Sequence, residues 1–243
     1  MSTKQHARFA GVLYLIVAIF GGFAHLIVRA QVYVPGDAAA TAQSVVTNSG
    51  LVRAGVVADL FQATVFLFLG MALYQLLKHV NVGAGRAMVI LVAIATTIIC
   101  LNMVFQFAAL LVATNGAYVA AFGAAGASAL VLLLLDIQHY GYLIAQIFFG
   151  LWLVPLGYLA YRSGMFPRAL GVLLIAGGIS YVVDMLVLFL FPGFGETISA
   201  VVIIPPAVAE LWMVAYLLTK GVRAQRRDER PAATVRGHAA TTA

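Results

Sequence analysis

Charge is scarce in this chain: Asp, Glu, Lys and Arg make up 9% of its 243 residues, against 63% hydrophobic residues. A soluble domain carries about a quarter charged residues, so this sequence has too little polar surface to face water. Cysteine is scarcer still. The single Cys100 lies inside an apolar run, which excludes an internal disulfide framework and leaves it as a small hydrophobe. Catalytic signatures are missing too. There is no His-Glu-x-x-His, no P-loop, no dinucleotide fingerprint and no nucleophile elbow. The expectation is a protein that is not an enzyme, with no cofactor, no metal and no nucleic-acid partner.

What the chain does have is apolar length. Its 243 residues leave room for about six spans of roughly 20 residues each, with short connections. Apolar runs place them at about 9–29, 52–78, 87–113, 139–161, 168–191 and 198–220. All are expected to be helices, because lipid cannot satisfy an open backbone. Lys4 and Arg8 followed by apolar residues imitate a signal peptide. The run from Phe9 to about Val28 exceeds the roughly 7–15 residues of such a segment, so it reads as a retained first helix. The predicted fold class is all-α, a polytopic membrane bundle of six helices with both termini cytoplasmic. Residues 1–222 form one domain, and 223–243 a basic, disordered cytoplasmic tail.

The orientation comes from the basic residues. With the amino terminus inside, all 14 Lys and Arg except Arg29 and Arg53 fall on the cytoplasmic side, the positive-inside pattern. The net charge of +6 then reports topology and anionic headgroups.

Turn signals divide the spans. Asp37 is an N-cap for a short surface helix that Asn48-Ser49-Gly50 should stop. Val82-Gly83-Ala84-Gly85 reads as a tight turn, as do Ser163-Gly164 and Pro167. Pro155 is placed to bend span four, and Pro205-Pro206 to break span six. Residues 116–135 are interrupted by Gly116, Gly123 and Gly126; the Leu-rich end of this stretch is expected to extend span four outward. Arg8-x-x-Gly11-Val12-Leu13 and Arg168-x-x-Gly171-Val172-Leu173 share a pattern that would fit either a duplication or a common way of starting a helix at the inner face.

Several motifs together resemble a known group. They are Arg8-x-x-Gly11-x-Leu13-Tyr14, His139-Tyr140-Gly141, Phe148-Phe149-Gly150-Leu151-Trp152 and Gly157-Tyr158-Leu159. Arg162-Ser163, Pro167-Arg168, Leu170-Gly171 and Glu210-Leu211-Trp212 complete the set. The chain resembles, up to about Gly221, a family of multi-spanning bacterial membrane proteins catalogued only as a domain of unknown function. The resemblance implies the membrane fold and location. It implies no activity.

Candidate function therefore rests on polar residues inside the spans. Asp59, Asp136, Asp184 and Glu210 fall within or beside apolar runs, where an ionisable group normally faces protein or water rather than lipid. Counting about 1.5 Å per residue from the nearest inner basic residue, His25, Asp59, Asn102 and Asp184 lie roughly 24–28 Å away, and His139 roughly 34 Å. Against a hydrocarbon core of about 30 Å this is the outer third. Glu210, about 15 Å from Lys220, sits near the midplane. His25 with Arg29, Asp59 with Gln62, Asn102 with Gln106, Asp136 with His139, and Ser180 with Asp184 are each three or four residues apart, so each pair shares a helix face.

The expectation is that His25, Arg29, Arg53, Asp59, Asn102, Asp136, His139, Asp184 and Glu210 converge on one outward-opening pocket. Arg29 and Arg53 form its rim and Glu210 its floor. Such a pocket suits a small-ligand or ion binding or transport protein of the cell membrane, with the lipid bilayer as its standing partner. The alternatives are a structural or accessory membrane component, in which polar groups only join helices, and an intramembrane metal-dependent hydrolase. The latter would take zinc ligands from His25, Asp59, Asp136, His139 and Asp184. Haem ligation by His25 and His139 is a more remote reading.

Overall fold

The computed structural model describes residues 2–191 and 195–223. The regular structure among the described residues is helical, with no strand. Six segments are long and apolar enough to cross a membrane: Thr3–Val32, Ser49–Leu77, Val82–Thr114, Gly116–Ser163, Arg168–Leu190 and Thr197–Thr219. The chain is a multi-pass membrane protein.

The first span is α1 (Thr3–Gly22), a π turn over Phe23–Val28, and the short α2 (Arg29–Val32). Then come α3 (Ala38–Thr47), α4 (Ser49–Leu77), α5 (Val82–Thr114), α6 (Gly116–Ser163) and α7 (Arg168–Leu190). The last span is α8 (Gly195–Val202) followed by α9 (Ile204–Thr219). Short polar side chains set the helix starts. Ser2 and Gln5 form a capping box on α1, Asp37 accepts from Ala40 N–H at 2.9 Å, and Asn115 accepts from Ala117 N–H at 3.0 Å. Each satisfies a backbone donor that a helix start leaves open.

The spans pack in chain order: α1 on α4, α4 on α5, α5 on α6, α6 on α7, α7 on α9, and α9 back on α1. The ring is therefore closed. The start of α1 meets the residues just after α9, with the α-carbon of Lys4 3.7 Å from where a Cβ on Gly221 would stand. Arg223 N–H donates to the Met165 carbonyl at 3.1 Å, tying the segment just after α9 to the α6–α7 turn. That turn closes on Gly164, whose φ of +68° is a left-handed value that favours glycine. We call this the terminal end of the ring and the opposite one the distal end. All of the basic tail except Arg223 lies outside the described residues.

Two apolar cores fill the ring. The larger joins Tyr14, Phe66, Leu69, Leu73, Trp152 and Leu156 with Met213 and Leu217. The smaller, at the distal end, joins Val28, Val45, Ala109, Leu110, Ala127 and Val131. It exists because α6 is so long. This helix has 48 residues and leaves helical geometry only at Gly123, φ 72° and ψ 161°. The run after Gly123 is roughly 60 Å long, about twice the hydrocarbon core. Its first turns extend beyond span four, as the sequence suggested, and pack on α3 and α5.

Some expected turns lie elsewhere. Val82–Gly85 is the first turn of α5 rather than a loop, because Asn81 accepts from Ala84 N–H at 2.9 Å and starts the helix there. Gly85 is small for packing: a Cβ would stand 2.8 Å from the ring of Tyr74. Asn48 alone separates α3 from α4, and Ser49 and Gly50 already belong to the next helix. The break in the last span falls at Ile203, with Pro205 and Pro206 in the first turn of α9, where a missing N–H is no loss. Pro155 leaves α6 within helical dihedral angles.

Candidate functional site: a distal polar chamber

The site begins with a change of helix type. After Gly21-Gly22 the first span winds as a π turn, with Arg29 N–H bonded to the Ala24 carbonyl five residues back. Such turns are rare and collect at functional sites. Ala24 and Val28 face inward from it, while His25 and Arg29 line a cavity between α4, α5 and α6. His25 Nε2 stands 3.2 Å from Asp59 Oδ1. The contact is out of line for a hydrogen bond, so this buried nitrogen has no hydrogen-bond partner. Gln62 Nε2 donates to the same carboxylate oxygen at 3.2 Å. Tyr142 covers the imidazole, ring centroids 4.1 Å apart.

Arg29 forms the next layer. Its guanidinium donates to Gln138 Oε1 at 3.3 Å and lies 4.4 Å over the ring of Tyr33. The Tyr33 hydroxyl donates to Asp136 Oδ1 at 2.5 Å. Burial, and then this bond to the Asp136 carboxylate, push the Tyr33 phenol up to about 12, so it remains a donor at physiological pH. His139 packs by its ring against Tyr33 and Tyr140. The space enclosed is small. The cavity bounded by His25, Arg29, Tyr33, Asp59, Gln106 and Gln138 measures about 20 Å³, and a single water needs about 10–15 Å³ on the same scale.

The structure thus gathers His25, Arg29 and Asp59 around one cavity, with Asp136 and His139 on the layer of Tyr33. The other expected site residues do not join them. Asn102 is buried against Gly141, where a Cβ would run into the Asn102 side-chain oxygen, and its Nδ2 has no partner. Arg53 is exposed, its guanidinium 6.0 Å from the Phe107 ring, and does not line the cavity. Asp184 accepts from Gln146 Nε2 at 2.6 Å. Glu210 accepts from Tyr14 at 2.9 Å and from Tyr181 at 3.0 Å. The expectation of one pocket with Glu210 as its floor is corrected to three clusters, each acid bound to different neighbours. The physical reason is that each carboxylate takes the donors nearest to it, on its own helix or an adjoining one, and depth along the membrane does not fix azimuth around the ring.

Sequence reasoning missed the tyrosines and two glutamines. Gln138, Tyr142 and Gln146 recur every four residues, so they share one face of α6. That stripe was legible. The charged pair Asp136 and His139 is the louder signal, and it lies on a less buried face of the same helix. Tyr14 and Tyr181 carried no local signal, since their common partner is on a third helix. Among the described residues no three of His, Cys, Asp and Glu gather within reach of one metal ion. The zinc ligand set considered from the sequence is therefore not assembled by the fold.

Comparison with known proteins agrees with the sequence resemblance. A family model described as a domain of unknown function, DUF4386, matches residues 9–221. No curated protein and no solved structure matches the chain.

Proposed function

The chain belongs to the DUF4386 family, whose description assigns no activity, and from its geometry we propose that it binds one small ion in the distal chamber, a proton exchanged through a single bound water. The carrying observation is the contact of His25 with Asp59 under a π turn, beside a cavity of about 20 Å³. That volume suits one water and is far below the roughly 300–1,000 Å³ of an ordinary small-molecule site. The guanidinium of Arg29 in the same wall disfavours a metal cation. An imidazole beside a carboxylate supports proton exchange, the chemistry in which histidine serves most often.

In this reading the protein lies in the cell membrane with its terminal end in the cytoplasm, following the basic residues, and the chamber belongs to the other side. It works as a carrier or sensor rather than an enzyme. The test uses the full chain in lipid vesicles holding a pH-reporting dye, under an imposed membrane potential. Wild-type vesicles should change internal pH several-fold faster than vesicles with Asp59→Asn. Equal rates in the two would overturn the proposal. A structural role is the second reading, favoured by the mutual pairing of Glu210 with two tyrosines. It gains if Asp59→Asn lowers thermal stability and leaves the rates equal.

A further inference from the structure

We propose that Asp184 and Gln146 form a second hydrogen-ion site, in which one hydrogen on Asp184 closes an acid–amide pair across the seam between α6 and α7. The proposal shares no residue with the distal chamber and stands or falls separately from it.

The pair is buried, Asp184 at 2% exposure and Gln146 at 5%. Gln146 Nε2 donates to Asp184 Oδ2 at 2.6 Å. Each side chain is then left with one oxygen, Asp184 Oδ1 and Gln146 Oε1, and neither has a hydrogen-bond partner. Two buried acceptors without a donor are an arrangement native structures avoid. As a carboxylate, Asp184 also lacks a counter-charge: among the described residues the one ion-pair contact is that of His25 with Asp59.

Among the described residues the surroundings supply no cation. On α7 itself Tyr181 lies within electrostatic range of Asp184. On α6 the nearest titratable group toward the distal end is Tyr142, one turn before Gln146. On α9 it is Glu210, bonded to the Tyr181 hydroxyl, and α8 has none among its described side chains. All of these are neutral or acidic.

One hydrogen corrects every deficit. A carboxylate and a hydronium ion give a carboxylic acid and a water. The acid is uncharged, its O–H becomes the missing donor, and Gln146 Oε1 becomes the acceptor. A metal ion fits less well, since two side-chain oxygens fall short of the roughly six that a hard cation takes. Nor can the helices part easily to admit a larger guest. One turn along the seam their backbones touch, a Cβ on Gly178 standing 2.5 Å from the Gly150 carbonyl.

Infrared difference spectra of the full chain in lipid vesicles, wild type against Asp184→Asn at neutral pH, test this. The expected result is loss of a protonated-carboxyl band that shifts downward in heavy water. Gln146→Leu, which removes the acceptor, should move that band upward and keep its intensity. Loss of carboxylate bands alone in Asp184→Asn means an ionised Asp184, with a water bridging the two oxygens, and overturns the proposal. Should Asp184→Asn fail to fold, carboxyl-labelled aspartate in wild type and Gln146→Leu decides. A labelled acid band that moves between the two sustains the site, and a band that is absent or unmoved removes it.

Discussion

Around Trp152 the ring of helices is filled by large aromatic side chains, with Phe66 edge to face at 5.1 Å and Tyr14 tilted at 5.8 Å from the indole. About two to four turns toward the distal end of α6, the inward positions are Gln146, Tyr142 and Gln138, and the partners across the gap are Asp184, His25 and Arg29. The same helices thus use two kinds of cohesion. At the terminal end it is shape, spread over many dispersion contacts that are individually weak. At the distal end it is a small number of directed bonds, some of them incomplete: His25 Nε2, Asn102 Nδ2, Gln146 Oε1 and Asp184 Oδ1 are buried with no hydrogen-bond partner. A packed interior resists change, and an under-bonded one invites a proton or a water. That contrast is why function is assigned to the distal end.

The largest test of the contrast is Trp152→Ala. Trp152 is 2% exposed and touches both Tyr14 and Phe66, so truncation leaves a void that three different helices line. The expected loss is about 3–5 kcal/mol of stability, read as a fall in the unfolding midpoint of the purified chain in detergent. Proton exchange at the distal chamber should survive in the fraction that remains folded. A variant that unfolds normally but no longer exchanges would mean that the two ends are not separable.

Glu210→Gln probes the border between them. Glu210 takes one hydroxyl on each oxygen, Tyr14 on Oε2 and Tyr181 on Oε1. An amide offers one acceptor oxygen, so one tyrosine must lose its bond at a cost of about 1–2 kcal/mol. Combining Glu210→Gln with Tyr181→Phe should then cost less than the sum of the two single changes. Full additivity in unfolding measurements would show that the two hydroxyls do not depend on this carboxylate.

How much of this was legible follows from the range of each interaction. The six spans and the shared terminal end could be read because hydropathy and helix length are local quantities. The extension of α6 was legible from the Leu-rich run after Gly126. The turn at Val82–Gly85 was misplaced because Gly85 suggests a break by composition, whereas its real constraint is the Tyr74 ring on the preceding helix. At the site, helical spacing correctly joined Asp59 with Gln62 and His25 with Arg29. It could not say which helix each pair faces. That depends on the rotation of each span about its own axis, and in the first span the π turn resets that rotation at Phe23 with no proline to mark it, only the preceding Gly21-Gly22.

Arg53 gives the smallest expected effect and separates charge from position. From the sequence it resembles Arg29: both are basic residues near the distal ends of their spans. In the structure Arg29 is bonded to Gln138 inside the chamber wall, while Arg53 is exposed on α4 and meets only the Phe107 ring at 6.0 Å. An exposed cation at that distance from a ring is worth about 0.5–1 kcal/mol at most, and a surface change away from packed features usually stays within about 0.5 kcal/mol. Arg53→Ala should therefore leave the unfolding midpoint and the vesicle pH response close to wild type. Arg29→Ala, by contrast, should alter the response, because it removes a guanidinium from the chamber wall itself. If Arg53→Ala disturbed exchange as strongly as Arg29→Ala, the relevant quantity would be the positive potential of the whole distal rim, and the enclosed geometry around His25 and Asp59 would lose its claim to be the site.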